Sequence, residues 1–536
     1  MKDIIYIDCF ASFGKRGPKD EMAEWEKETL LDEMEHCGIH GALVYHSLAR
    51  EYDPMYGNRM LMNEIKGNPR LIPCWVLLPH HTGEVPTGKT LVRKMLENGV
   101  HAAKMYPRVH HYAFNEDTCG EIFSALEDAE IPLFVEGGQV YGGEQIIQLT
   151  FEELDALCAH HRKLNVVLQG LKWESTRLVY PLMKKHKHLH LEFSNYQLEH
   201  AFEIFVQWFG AERILFSTGA LEKSPGAAKA YLDYAQISLE DKKKIAGRNL
   251  ARLLKLKKLP PEYPKKKETD GILALVKEAM PLNHIPVIDA HCHLNEDGAL
   301  GVGFKYQPFG DAVSTIERGK LIGIQKMCIS SWLGIWADYE LGNEIIHSAV
   351  RRFPEHYIGY ATLEPTYVKD WNADLKKVYE HYGFKGLKPY YPRTFIPYDD
   401  KMWYPWFEYG NRHRYFALIH PSDNMVKEML DAAAKFPNIS FLLAHSGASF
   451  KDARKAIEVA KQRKNVYLEI TLTAVTYKVI EFMVDELGPE RVVFGTDQPL
   501  RDPIPQFGWV AYTRLSEKDK RKIFGENMER IIARCR

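Results

Sequence analysis

The sequence predicts an α/β chain of two tandem (β/α)8 TIM-type barrels. Three observations carry this reading: a length beyond one hydrophobic core, an internal duplication, and eight short apolar runs in each half that alternate with amphipathic stretches. The chain has 536 residues, and single cores stop growing at roughly 250–300 residues. The segment ISLEDKKKIAGRNLARLL from Ile237 returns as LSEKDKRKIFGENMERII from Leu515, with Gly247 on Gly525 and Asn249 on Asn527 at one offset of 278. Upstream, AERILFSTG (211–219) matches PERVVFGTD (489–497) at the same offset. IDCFAS (7–12) matches IDAHCH (288–293) at 281, and AKMYP near Lys104 matches LKPYYP near Lys388 at 284. So steady an offset marks a repeated unit of barrel size.

In the second half the runs are PVIDA (286–290), KMCIS (326–330), YIGYATL (357–363), GFKGLKP (383–389), YFALIH (415–420), ISFLLAH (439–445), VYLEI (466–470) and RVVFGTD (491–497). Helical patterns such as KDARKAIEVAKQ (451–462) lie between them. Apolar strands alternating with helices indicate a parallel sheet, and eight such units indicate a closed barrel. The first half supplies DIIYID, GALVYH, RLIPCWVLL, HAAKMY, IPLFVE, NVVLQG, HLHLEF and RILFST. The Pro- and Lys-rich stretch from Leu254 to Asp270 reads as the joint. The expected division is a first barrel over 1–255, a linker over 256–283 and a second barrel over 284–536.

Composition excludes several classes. With 70 Lys+Arg against 71 Asp+Glu the formal charge is −1, so no basic excess exists to bind nucleic acid or a membrane surface. No apolar run approaches the roughly 18 residues of a membrane span. MKDIIYIDCF reads as a first strand rather than a secretory signal. Eight scattered cysteines without a CxxC pair read as reduced thiols, which places the chain in the cytoplasm. GGQVYGG (137–143) lacks both GxGxxG and a Walker lysine, and no GxSxG elbow occurs.

A barrel places its chemistry at the C-terminal ends of the strands. There the second half carries His291 and His293 on strand one, Lys388 on strand four, His420 on strand five, His445 on strand six and Asp497 on strand eight. Residues i and i+2 of a strand share a side, so His291 and His293 can converge on one cation. A single strand-end His is usually a hydrogen-bonded structural residue, and a single strand-end Asp is usually a helix cap. The joint set is not ordinary. Imidazoles plus a carboxylate suit a zinc-type ion better than magnesium or calcium. Such an ion would make hydroxide available near neutral pH, with Asp497 accepting the proton and His445 donating to a developing oxyanion. Asp289 is either an anchor for these ligands or a cap of the strand turn. Tyr306, Trp332, Trp336, Tyr390, Tyr391, Arg393, Gln498 and Arg501 surround the expected mouth. Of these Trp332, Tyr390 and Arg393, with Lys388, are the candidate contacts to an organic acid.

His291-x-His293, His420, His445 and Asp497, in the settings VIDAHCHL, FALIHPSD, FLLAHSGAS and RVVFGTDQP, resemble the amidohydrolase superfamily and its amidohydrolase-related branch. That branch includes aminocarboxymuconate-semialdehyde decarboxylase. The resemblance implies one divalent metal, zinc with manganese as the alternative, held by His291, His293, His420 and Asp497. It also implies that His445 and Asp497 act in catalysis. Lys388 keeps three readings: a carboxylated bridge between two metals, an ammonium paired with a substrate carboxylate, or a structural lysine. The leading expectation is a metal-dependent hydrolase of a small, carboxylate-bearing substrate. A metal-dependent non-oxidative decarboxylase is the alternative, and a non-catalytic binding or scaffold protein is the third reading.

The first half departs from the pattern. Phe10 stands at the place of His291, Ser12 at that of His293, Glu136 at that of His420, Gln169 or Gly170 at that of His445, and Gly219 at that of Asp497. Its other histidines, His80, His81, His110, His111, His186, His188 and His190, read as packed or exposed residues. The expected arrangement is an intrachain pseudo-dimer with a silent first barrel, open to further homo-oligomerisation.

Overall fold

The computed structural model describes residues 4–17, 19–137, 139–141, 144–146, 148–263, 268–299, 301, 303 and 305–536. The chain forms two compact units, Met1–Lys267 and Glu268–Arg536. Of the segment expected as a linker, residues 264–267 lie outside the described residues. Tyr263 lies under Arg70, whose guanidinium carbon is 4.7 Å from the ring centre, within the first unit. Helix Gly271–Lys277 belongs to the second, where the Gly271 amide donates to Glu517 at 2.8 Å.

The first unit holds β1 (Ile7–Phe13), β2 (Gly41–His46), β3 (Leu71–Pro73), β4 (Trp75–Val76), β5 (Ala103–Met105), β6 (Leu133–Glu136), β7 (Gln139–Tyr141), β8 (Glu144–Ile146), β9 (Val166–Gln169), β10 (Leu189–Glu192) and β11 (Ile214–Leu215). They form a three-stranded sheet β1-β2-β3, a six-stranded parallel sheet β11-β10-β9-β6-β5-β4, and the hairpin β7-β8. This differs from the single eight-stranded barrel expected. RLIPCWVLL is divided at Cys74, whose amide still donates to Val44 while the next amide, Trp75, donates to Ala102. The run changes partners there, so β3 and β4 fall in different sheets. Gly138, Gly142 and Gly143 of the glycine-rich run lie outside the described residues.

The second unit has β12 (Ile288–Leu294), β13 (Lys326–Ser331), β14 (Tyr357–Ala361), β15 (Gly386–Leu387), β16 (Phe416–Ile419), β17 (Ser440–Leu443), β18 (Val466–Glu469) and β19 (Val492–Val493). They pair in chain order, all parallel. Hydrogen bonds from Ala290 N to Phe494 O and from Asp497 N to His291 O bring the last strand back to the first, so the barrel is nearly closed. Ile288, Ala290, Tyr360, Phe416, Leu418, Leu442 and Val493 fill its interior, and Met528 and Ile531 of the C-terminal helix close the end opposite the site. The Ile, Leu, Val, Phe and Met side chains among them each contribute about 1.5–3 kcal/mol on full burial. The first unit packs alike: Ile7, Cys9, Leu43, Phe134, Val167 and Leu215 lie against Leu250, Leu253 and Leu254. No helix among the described residues is long and apolar enough to cross a membrane. The eight cysteines are free, seven of them buried.

Candidate metal centre

A slip in β12 makes the site possible. Its ladder with β13 shifts between Asp289 and Cys292, so Ala290 joins the apolar interior while the next residue, His291, also faces inward. Asp289 holds the slip. Its carboxylate accepts from the His291 amide at 2.9 Å, the Thr496 amide at 3.0 Å and the Thr496 hydroxyl. It therefore ties strand one to the segment after strand eight, which is the anchoring role. Asp8 repeats the arrangement in the first unit, accepting from Phe10 N, Thr218 N and the Thr218 hydroxyl.

The two imidazoles of β12 converge. His291 Nδ1 lies 3.0 Å from Glu469 Oε2, and His293 Nδ1 lies 2.9 Å from Ser330 Oγ. With the Nδ1 protons given to these oxygens, both Nε2 atoms present lone pairs, 3.2 Å apart. Asp497 Oδ1 stands 3.1 Å from His293 Nε2 and 3.5 Å from His291 Nε2. Two lone pairs and a carboxylate aimed at one point call for a cation. The only cation within 4 Å of those two nitrogens among the described contacts is Lys388, with Nζ 3.3 Å from His291 Nε2. Burial, above all other causes, pushes the titration of His291 and His420 well down, lowers that of His293, and sets His445 at about 4. All four rings are therefore neutral near pH 7, the form that ligates metals. Burial likewise takes Lys388 down to about 8. Asp497 is held well below the usual carboxylate range: burial raises it, but the Arg501 guanidinium and the two histidines outweigh that. His291, His293 and Asp497 form one compact group able to hold an ion, and His291, His445 and Glu469 form a second. The donor set fits a divalent transition ion.

The remaining candidates occupy different places. His445 Nδ1 is 2.8 Å from the Thr471 carbonyl, which fixes its proton there and leaves Nε2 as an acceptor. In this form His445 takes a proton; it does not donate one to an oxyanion. His420 belongs to neither compact group; its ring centre is 4.9 Å from that of His445 and 5.2 Å from that of Tyr390. Trp332 lies on His293 with ring centres 4.3 Å apart. Trp332, Trp336, Tyr390, Lys388 and Arg501 line one cavity of about 830 Å³ with the histidines and Asp497. Arg393 is exposed and lines a separate small pocket with Glu364 and Tyr367. Tyr306, Tyr391 and Gln498 also lie off the main cavity. Arg501 bonds Asp497 Oδ2 and the Thr473 hydroxyl.

Glu469 and Ser330 are not among the candidates, although Ser330 ends its predicted run and Glu469 is the last residue but one of VYLEI. The available signal was that β18 and β10 each finish in Glu, at 469 and 192. Glu469 is fully buried and accepts from the Thr471 amide and hydroxyl as well as facing His291. Glu469→Gln will lower divalent-metal affinity by about 10- to 100-fold, since the His291 ring exchanges a carboxylate acceptor, pushed up to about 7 by burial, for a neutral amide. Calorimetric titration of the apo-protein with Mn²⁺ or Zn²⁺ checks this.

His445 and Asp497 both sit at positive φ, 63° and 62°. Their counterparts Gly170 and Gly219 have φ of 66° and 73°. Gly170 N donates to Glu192 as His445 N does to Glu469, which identifies Gly170 rather than Gln169 as the partner of His445. Only glycine adopts this region without penalty, and a side chain there costs of order 1–3 kcal/mol. The second unit carries that cost at the two positions where His and Asp face the cavity.

The first unit fills the equivalent space with its own charges. Lys104 Nζ lies 2.7 Å from Glu136 and 2.8 Å from Gln169 Oε1, over the Phe10 ring at 4.0 Å. An ammonium thus takes the place of an external cation. Among the described residues, both compact ion-holding groups lie in the second unit. Of the other first-unit histidines, His186 pairs with Asp155 at 2.6 Å and His190 with Asn165 at 3.2 Å.

Fold and site together define an α/β barrel with an imidazole–carboxylate centre, able to hold a divalent ion, at the C-terminal strand ends. The chain belongs to the amidohydrolase family, whose profile, described as Amidohydrolase, matches residues 44–256 and 288–533. No curated protein sequence matches the chain. Similar solved structures include a TIM-barrel protein of Bordetella bronchiseptica at 16% identity and TM-score 0.39, covering 47% of this chain and 99% of its own. A dihydroxybenzoic acid decarboxylase of Polaromonas sp. JS666, solved with manganese, matches at 15% and 0.38, covering 46% and 97%. A 4-oxalomesaconate hydratase of Rhodopseudomonas palustris matches at 17% and 0.35, covering 46% and 96%.

Proposed function

We propose that the second unit is a metal-dependent hydrolase acting on a small organic substrate that bears a carboxylate. One observation carries this: two neutral imidazoles present Nε2 lone pairs 3.2 Å apart beside Asp497, at the floor of a large cavity. His291, His293 and Asp497 would hold one divalent ion, zinc or manganese, with His420 completing its shell. When bound, the ion supplies Lewis-acid activation of water and of the substrate oxygen. Glu469 and Ser330 keep the ligand rings in the required tautomer. Lys388 receives the substrate carboxylate, its ammonium having no carboxylate of its own in bonding range among the described contacts. Nε2 of His445 accepts the proton released by the attacking water. Trp332, Trp336 and Tyr390 pack the substrate and keep bulk water out.

Non-oxidative decarboxylation is the second reading, and one observation favours it. Arg501 bonds Oδ2 of Asp497 while Oδ1 faces the histidines, which works against Asp497 as the proton shuttle expected of a hydrolase, whereas decarboxylation takes no proton from an attacking water. The first unit we read as a barrel of the same plan that has lost the site. Support comes from its parallel closing bonds, Cys9 N to Phe216 O and Gly219 N to Phe10 O. The test is metal content of the full chain by plasma mass spectrometry, then turnover of the loaded protein on carboxylate-bearing amides, lactones and hydroxybenzoates. One ion per chain and a new acid or amine product is the expected result. Released CO₂ would replace hydrolysis by decarboxylation, and a protein that binds no ion even after supplementation would end both.

A further inference from the structure

The cavity does not end at the strand tips. From the metal centre its wall continues along helices Met425–Lys435 and Phe450–Gln462, as far as Asp431 on the first and Lys455 on the second. From Met425 to Asp431 the helix rises about 9 Å. Val426, Leu430, Ala448 and Leu472 line this outer part and are only half-buried. The charged residues beside them are largely engaged. Lys427 bonds Asp399 at 2.6 Å and lies 3.4 Å from Asp431, while Asp452 accepts from the Ser449 hydroxyl at 2.7 Å. The whole cavity, about 830 Å³, is of the size that encloses ligands of drug dimensions, roughly 300–1,000 Å³.

We propose that the site takes a two-part substrate, with a carboxylate-bearing head at the histidine–Lys388 end and an apolar tail of about 9 Å lying between the two helices. The head half rests on the function proposed above. The tail half rests on the groove, which is continuous with the centre, has an apolar floor and offers few unengaged charges. An acid too short to leave the centre would bury none of that floor. A fully buried methylene strengthens binding about fourfold, so a partly buried six-carbon tail is expected to gain at least about tenfold.

Calorimetric titration of the Mn²⁺-loaded full chain with benzoate and with 4-hexylbenzoate tests this. The hexyl acid should bind at least about tenfold tighter. Leu430→Asp, which places a charge on the floor, and Leu430→Trp, which fills it, should each bring the hexyl-to-benzoate ratio below about three. Equal affinities in the parent protein, or a ratio that persists in both variants, overturns the proposal. If the hexyl acid binds and responds to Leu430 but 4-hexylaniline binds as tightly, the groove stands and the carboxylate reading of the centre falls.

Discussion

Asp497→Asn will reduce metal-dependent turnover by about 10³-fold or more and strip most of the metal affinity, while leaving the folded state in place. The substitution is isosteric. Asn enters the left-handed region as readily as Asp, so φ of 62° is retained. Its carboxamide oxygen can still accept from Arg501 or face the histidines, but not carry charge to both. His291 and His293 then aim two lone pairs at a neutral group, and a divalent ion loses its one anionic ligand in that cluster. Arg501 keeps the Thr473 hydroxyl as a partner, which limits the cost in stability. Calorimetric metal titration and thermal unfolding of the apo-protein, measured side by side, separate the two effects. Undiminished affinity for both Zn²⁺ and Mn²⁺ would take Asp497 out of the ligand set.

Much of the second unit was legible in the sequence because its signals are local. All eight apolar runs became strands, and their polar ends hold His291, His293, Lys388, His420, His445 and Asp497 around one cavity. What stayed hidden depends on contacts between distant segments. Glu469 reads as one polar residue within an apolar run; its meeting with His291, 178 residues away, exists only in the closed barrel. The tautomer of His445 hangs on the Thr471 carbonyl, a backbone group that no side-chain pattern reports. Arg393 followed strand four as a mouth residue should, yet the turn at Tyr391–Thr394 carries it to the outside. In the first unit the eight runs are present, but a partner change at Cys74 divides them between two sheets. The slip in β12 is another case. Strict alternation would set Ala290 and His291 on opposite faces, and the register shift at which both point inward is tied by Asp289 to the Thr496 amide.

The two equivalent lysines should separate structure from function. Lys104→Met will destabilise the first unit by about 3–5 kcal/mol, because it leaves the Glu136 carboxylate buried and uncompensated. Glu136 is fully buried, and Lys104 supplies the ion pair at 2.7 Å. Adding Glu136→Leu should recover most of the loss, since apolar replacement of a whole buried pair is often neutral or stabilising. Lys388→Met should behave oppositely. That ammonium is equally buried, and burial lowers its titration to about 8. Its bonded neighbour is His291 rather than a carboxylate. Removing it relieves a desolvated charge, so stability should hold or rise while substrate affinity falls. Urea unfolding of the full chain, with tryptophan emission and circular dichroism followed together, reads all three variants, and steady-state kinetics adds the activity of Lys388→Met. Equal destabilisation by Lys104→Met and Lys388→Met would mean that both lysines are structural. The contrast proposed here between an internal cation in one unit and a site for an external one in the other would then fail.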